Sequence, residues 1–236
     1  MLLTFHGLIT IICISVFKDM SSRLAESYLL LLYACTTVPN REVCAPRQEN
    51  ISIIKLRMIC KVEIRKLYKS LMFGNSVDCV SDIEIDEGCF GKKRKNNKGK
   101  YFKKQWIFGI VERGTRKLLL KIVPDRTQAT LLPIITAHIS TSANVHHDDW
   151  PSYRSLHKMG YQDLIVNHTQ TFKGLDGACT NTIEGIWGVL KQRIIRMHGI
   201  DSSKLEDYVD EYVFRYYHKD DMIQAMVKAI SEYKSI

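Results

Sequence analysis

No two of the seven cysteines are spaced as C-x2-C or C-x4-C. Cys13, Cys35, Cys44, Cys60, Cys79, Cys89 and Cys179 stand apart, and their number is odd. That pattern excludes a zinc ribbon and a secreted disulfide framework, leaving reduced intracellular thiols as the expectation. A hydrophobic run long enough for a membrane is also missing. The one apolar stretch, Leu2 to Phe17 (LLTFHGLITIICISVF), falls short of the ~20 residues a spanning helix needs. It lacks the basic start and the A-x-A-like cleavage site of a signal peptide. Segment 1–17 therefore reads as a buried strand or helix, or as the remnant of a lost domain, and no membrane partner is expected. No internal repeat is apparent. With 45% hydrophobic and 25% charged residues, the 236-residue chain is not a disordered one.

Acidic residues are the scarcer charge, 25 Asp and Glu against 34 Lys and Arg, for a net charge of +9. The excess lies in the middle: residues 81–200 hold nineteen basic and eleven acidic side chains, which is +8 of the +9. A basic protein of this size either binds a polyanion, most commonly nucleic acid, or has merely a basic soluble surface. Charge alone does not separate the two.

Residues 18–76 read as helical. Leu24, Tyr28, Leu31 and Leu32, then Ile53, Leu56, Ile59 and Cys60, recur at helical spacing, with breaks at Pro39-Asn40 and Pro46 to Asn50. Three short helices, the last carrying Lys61, Arg65, Lys66 and Lys69, fit a helix-turn-helix or a plain helical bundle. From Val80 the period changes to two. SDIEIDEGCF alternates apolar and acidic residues, and WIFGIVE and KLLLKIV form a hairpin through Arg113-Gly114-Thr115. A helix over about 127–138, a strand ending at Asp148, a short helix, the strand YQDLIV and a long helix from Asn181 follow. The expectation is α/β: a mixed sheet flanked by helices over 77–200, in the order of a ribonuclease-H-like fold. Residues 201–236 read as two C-terminal amphipathic helices of acidic balance, suited to packing on the domain or to forming a homodimer.

Three carboxylates stand at positions that a sheet and its flanking helix would bring together. Asp86 is placed at the end of the first strand, Asp148 at the end of the fourth, and Glu184 in the first turn of a helix. Such carboxylates repel one another unless cations lie between them, and hard divalent cations prefer carboxylate oxygens. Two ions ~4 Å apart clamp the attacking and leaving oxygens of a phosphodiester. Taken singly, each acid also has a plain reading, as a turn or cap residue or as a favourable charge at a helix N-terminus.

The stretch IEIDEGCFGKKRKNNKGK resembles the first catalytic block of the Merlin superfamily of DDE transposases and its bacterial insertion-sequence relatives. WIFGIVERGTRK and VPDRTQATLLPII resemble its next block, and HDDWPSY the block of its second aspartate. VNHTQTF and GACTNTIEGIWGVLKQR resemble the block ending in the catalytic glutamate. The resemblance runs in family order from about residue 83 to 193. It implies a ribonuclease-H-like fold and a DNA transposase that cleaves strands and transfers them, using two Mg2+ or Mn2+ ions held by Asp86, Asp148 and Glu184. Asp148 matches because it stands two before Trp150, with Asp149 in the variable place. His168, Asn181 and Trp187 also match the pattern and are expected to support the site. Trp187 equally shares one helical face with Ile183, Leu190 and Ile194, which is a core position. The family's N-terminal zinc ribbon is missing. A second expectation is thus a catalytically decayed or domesticated transposase-derived DNA-binding protein. Double-stranded DNA, as transposon ends and target, is the partner implied, with a nuclear location in a eukaryote and a cytoplasmic one otherwise.

Lys92, Lys93, Arg94, Lys95, Lys98, Lys100, Lys103 and Lys104 form a run without an acid, interleaved with Tyr101 and Phe102; Lys191 and Arg193 extend the basic character past Glu184. The run reads as a phosphate-binding hairpin, a solvated charge run or a nuclear address. If it holds phosphates, neutralising several of its lysines weakens binding to all DNA sequences alike. The slope of log K against log salt then flattens by about one unit for each phosphate that no longer has its lysine. An unchanged slope in a filter-binding or anisotropy titration excludes that role.

Overall fold

The computed structural model describes residues 51–76, 80–91, 104–115, 117–166, 180–197 and 200–233. The apolar segment 1–17, the helical reading of 18–50, the basic residues from Lys92 to Lys103 and His168 lie outside the described residues. The chain divides into two compact units, Met1–Glu63 with His218–Ile236, and Ile64–Tyr217. Helix α1 (Ile51–Ser70) crosses that boundary as one twenty-residue element. It buries Leu56, Ile59, Cys60 and Ile64 at spacings of one, three and four, the stripe of a helix with a single apolar face.

The larger unit is built on a five-stranded sheet: β1 (Asp82–Phe90), β2 (Gln105–Glu112), β3 (Leu118–Val123), β4 (Asn144–Asp148) and β5 (Gln162–Val166). The strand order is β3-β2-β1-β4-β5. The first three strands pair antiparallel, whereas β4 pairs parallel with β1 and β5 parallel with β4. This is the mixed ribonuclease-H-like sheet expected from the order of elements. Helices α2 (Gln128–His138), α3 (Asn181–Arg196) and α4 (Leu205–Tyr217) flank it, and two short 3-10 turns, Pro151–Tyr153 and His157–Met159, link β4 to β5. In the smaller unit, α5 (Met222–Tyr233) buries Met226, Ala229 and Ile230. Among the described residues no helix is long and apolar enough to cross a membrane.

Period-two alternation sorts the central strands into two faces. Ile83, Ile85, Phe108, Ile110, Leu119 and Val145 enter one core with Leu131, Ile134 and Ile135 of α2 and with Tyr153, Leu156 and Tyr161. The opposite face of β1 carries Glu84, Asp86 and Gly88. One expectation is corrected here: Asp86 is not at the end of β1 but in its middle. The β1–β2 ladder continues to Phe90 opposite Gln105, while the β1–β4 ladder stops at Glu84 opposite His146. Asp86 is thus mid-strand toward β2 and beyond the last pair toward β4.

The β2–β3 hairpin closes through Gly114, whose φ of 74° a side chain would resist. Buried Glu112 at its base accepts hydrogen bonds from the Gly74 N–H (3.0 Å) and Thr115 Oγ1 (3.1 Å) and pairs with Lys117 Nζ at 3.0 Å. Burial acts to raise its carboxyl. The bonds from Lys117, Gly74, Ser81 and Thr115 prevail and hold it below the usual carboxylate range. A folded value below the unfolded one contributes stability at pH above the unfolded value, lost as pH falls through the folded value. Glu112→Gln is expected to cost roughly 1–3 kcal/mol near neutral pH in urea unfolding. The gap to wild type should narrow on acidification.

Candidate active site

The place where β1 and β4 part is the natural mouth of this sheet. Asp86 and Asp148 each stand two residues beyond the last paired residues, Glu84 and His146. Alternation puts both on the face that α3 covers. Parting strands leave no ladder partner between them, so side chains rather than main chain fill the gap.

Helix α3 is fixed to that face by its first turn. Glu84, fully buried, accepts the Ile183 N–H and the Thr182 Oγ1–H, both at 2.9 Å, and the Nε–H of Arg113 at 2.7 Å. A carboxylate at a helix N-terminus satisfies a backbone donor that has no partner within the helix, and it lies favourably in the helix dipole. Two glycines then let the helix approach. A Cβ at Gly109, directly opposite Asp86, would sit 2.7 Å from Ile183 Cδ1 and 2.8 Å from the Trp187 ring. One at Gly88 would sit 3.1 Å from the same ring. In the space they leave, Trp187 lies buried and its Nε1 donates to Asp86 Oδ2 at 2.9 Å. Trp187 is thus a core residue of α3 whose indole also bonds Asp86.

Burial pushes the Asp86 carboxyl above its ordinary range. The Glu87 main chain and Trp187 pull it down; Asp148 and Glu184 push it further up. The three acids therefore share one electrostatic field. Asp148 Oδ1 accepts the Trp150 N–H at 3.2 Å, and Glu184 Oε1 accepts the Thr180 hydroxyl at 2.9 Å. Asp149 has a side chain 69% exposed and 4.0 Å from Arg154. Three carboxylates with no thiolate suit a hard divalent cation. Among the described residues, however, no three His, Cys, Asp or Glu side chains converge as a ready ligand set. The donor chemistry fits such a cation, whereas the side-chain positions do not form a ready ligand set.

Of the other expected site residues, Asn181 opens α3 and is exposed, as are Lys104 and Lys191, the latter 5.9 Å from the Phe90 ring centroid. Arg193 is paired with Glu211 at 2.6 Å, a carboxylate it shares with Arg215. Reading the sequence missed four residues around the site: Glu84, Glu87, Arg126 and Tyr153. The buried carboxyl of Glu87, on the opposite face from its neighbour Asp86, pairs with Arg126 (2.8 Å) and accepts the Tyr153 hydroxyl. All four lie inside the motif blocks, and a buried acid two residues from another on one strand was the available signal.

Residues 82–217 match the family model described as ISXO2-like transposase domain. A protein of Haemophilus influenzae, described as an uncharacterized transposase-like protein, is 28% identical over 100 residues, 42% of this chain and 80% of its own length. Among solved structures, the Mos1 transposase paired-end complex with left transposon end aligns at 13% identity with a TM-score of 0.37, over 94% of this chain and 74% of that one. A pre-cleavage Mos1 transpososome aligns at 11% identity with a TM-score of 0.30, over 88% and 70%. These two likenesses are too distant to add to the strand order itself.

The raised Asp86 has a thermodynamic signature. Its folded value lies above the unfolded one, so its ionisation works against folding once the pH exceeds the unfolded value, and fully so above the folded value. Asp86→Asn keeps an acceptor for Trp187 and removes the charge. Without divalent cations near pH 7.5 it is expected to melt higher than wild type by roughly 2–4 °C, the scale of about 1 kcal/mol in a chain this long. The difference should vanish below pH ~3.9, where the unfolded aspartate is itself protonated. A lower melting temperature for the variant at pH 7.5 would contradict this reading.

Proposed function

The chain belongs to the ISXO2-like transposase domain family, and on that premise we propose that its larger unit is the catalytic domain of a DNA transposase, cleaving and transferring DNA strands with Asp86, Asp148 and Glu184 as the acidic triad. The observation that carries this is the position of half-buried Asp86 at the mouth where β1 and β4 part, its carboxyl pushed up by partial burial and by those same two acids. Double-stranded DNA is the substrate in this reading, and Mg2+ or Mn2+ the cofactor.

The chain's own residues supply position and charge. Glu84 seats the first turn of α3, the turn that carries Glu184. Trp187 fixes the orientation of the Asp86 carboxylate through Oδ2. The Trp150 N–H orients Asp148. Two divalent cations bound by these carboxylates would supply activation of a water or a DNA 3′-hydroxyl and stabilisation of the leaving oxygen. Phosphoryl transfer asks mainly for positioning and charge neutralisation, so no Ser or Cys nucleophile is needed. Lys191 and Lys104, both exposed, would meet phosphates in this reading.

One observation favours a second reading, that of a transposase-derived protein which binds DNA without cutting it: the described acids do not converge as a ligand set. Mn2+-dependent nicking of a supercoiled plasmid by purified protein separates the two. Ala at Asp86, Asp148 or Glu184 is expected to abolish nicking while DNA affinity stays equal or rises, because negative charge leaves the cleft. Asp149→Ala should retain most activity. Nicking that survives all three triad substitutions would end the triad assignment. Wild-type binding without nicking would establish the second reading.

A further inference from the structure

Arg126 sits in the turn between β3 and α2, outside the acidic group, yet it ties together both segments that carry the aspartates. Its Nε and Nη2 both donate to Glu87 Oε2, at 3.0 and 2.8 Å. Its guanidinium lies 3.8 Å from the Trp150 ring centroid and 4.6 Å from that of Trp106. Its carbonyl accepts Trp150 Nε1 at 3.1 Å and Ser152 Oγ at 2.6 Å. The second oxygen of Glu87 accepts the hydroxyl of Tyr153, two residues beyond Pro151. Glu87 adjoins Asp86 in sequence, and Trp150, Ser152 and Tyr153 all belong to the turn that follows Asp148.

β1 and β4 make no ladder pair beyond Glu84 and His146, so main-chain pairing does not set the separation of Asp86 and Asp148. The chain of contacts Glu87–Arg126–Trp150 does bridge that gap, on the face of the sheet away from α3. It ends on the Trp150 N–H that orients Asp148. Resting on the triad reading above, we propose that Arg126 is a positioning residue that fixes the Asp148 turn relative to the strand of Asp86, and through it the affinity of these acids for a divalent cation. The role needs arginine. A planar fork bonds a carboxylate while its faces stack on two indoles, and a lysine ammonium does neither.

Full-length Arg126→Lys and Arg126→Gln test this, with Mn2+ binding to the free protein read by electron paramagnetic resonance at temperatures well below the melting transition. Loss of a group that orients a ligand is expected to weaken Mn2+ binding roughly 10- to 100-fold. The Mn2+ concentration for half-maximal nicking should rise by the same factor, with recovery at high Mn2+ and DNA affinity within about twofold of wild type. A merely structural arginine would lower the melting temperature and leave Mn2+ affinity in the folded protein unchanged, which overturns the proposal. If Arg126→Lys does not fold, Trp150→Leu decides in the same way. It removes the ring over the guanidinium and keeps the main-chain N–H that bonds Asp148; weaker Mn2+ binding supports the proposal and unchanged binding overturns it. Asp86→Asn is the control that separates failures. If it loses Mn2+ while the Arg126 variants keep it, only the positioning role falls. If wild type binds no Mn2+, the triad reading falls with it.

Discussion

A carboxylate shut away from water joins the two halves of this domain. Glu84 meets the first turn of α3 across 98 residues of sequence and meets the β2–β3 hairpin through Arg113. Burying such a charge without partners would cost several kcal/mol. Here a backbone N–H, a hydroxyl and a guanidinium satisfy it, and a helix N-terminus adds its partial positive charge. The helix is consequently docked at one defined register. Gly109 and Gly88 fit Trp187, Trp187 reaches Asp86, and Glu184 comes to the same end of the sheet. Removing the Glu84 carboxylate would unsettle every one of those relations at once.

The sheet uses consecutive residues of β1 for different tasks. Asp86 faces α3 and the acidic group, while Glu87 faces the α2 side and the Arg126 cluster. Period-two geometry places two acids on opposite faces of one strand with their backbone shared. The acidic face can stay charged because the other face carries the packing. Tyr153, fully buried and bonded to Glu87, belongs to that packing.

Much of the architecture was legible because local pattern and tertiary role agree. Alternation in Asp82–Phe90, the hairpin at Gly114 and the apolar stripe of α3 each follow from a period that packing then uses. Asp148, chosen over Asp149 from its spacing to Trp150, is the less exposed of the two. What was hidden depended on partners far away in sequence. Nothing near Glu84 marks it as the seat of a helix, and Arg193 reads as free basic surface until α4 brings Glu211 to it. The position of Asp86 within β1 was misread because alternation does not say how far a strand stays paired with each neighbour. The strand has two, and they release it at different residues. The basic run, read from composition, has no counterpart among the described residues beyond Lys104.

Seating α3 by its first turn also separates chain length from geometry. The segment between β5 and Thr180 delivers the chain to that seat, but the seat itself is defined by Glu84 on β1. Lengthening a connection costs little, about 0.6 kcal/mol for each doubling. Relatives can therefore differ by many residues between Val166 and Thr180 while their glutamate returns to the same place. The spacing between the last two acids is thus free to drift, whereas the two-residue step from Glu84 to Asp86 is not.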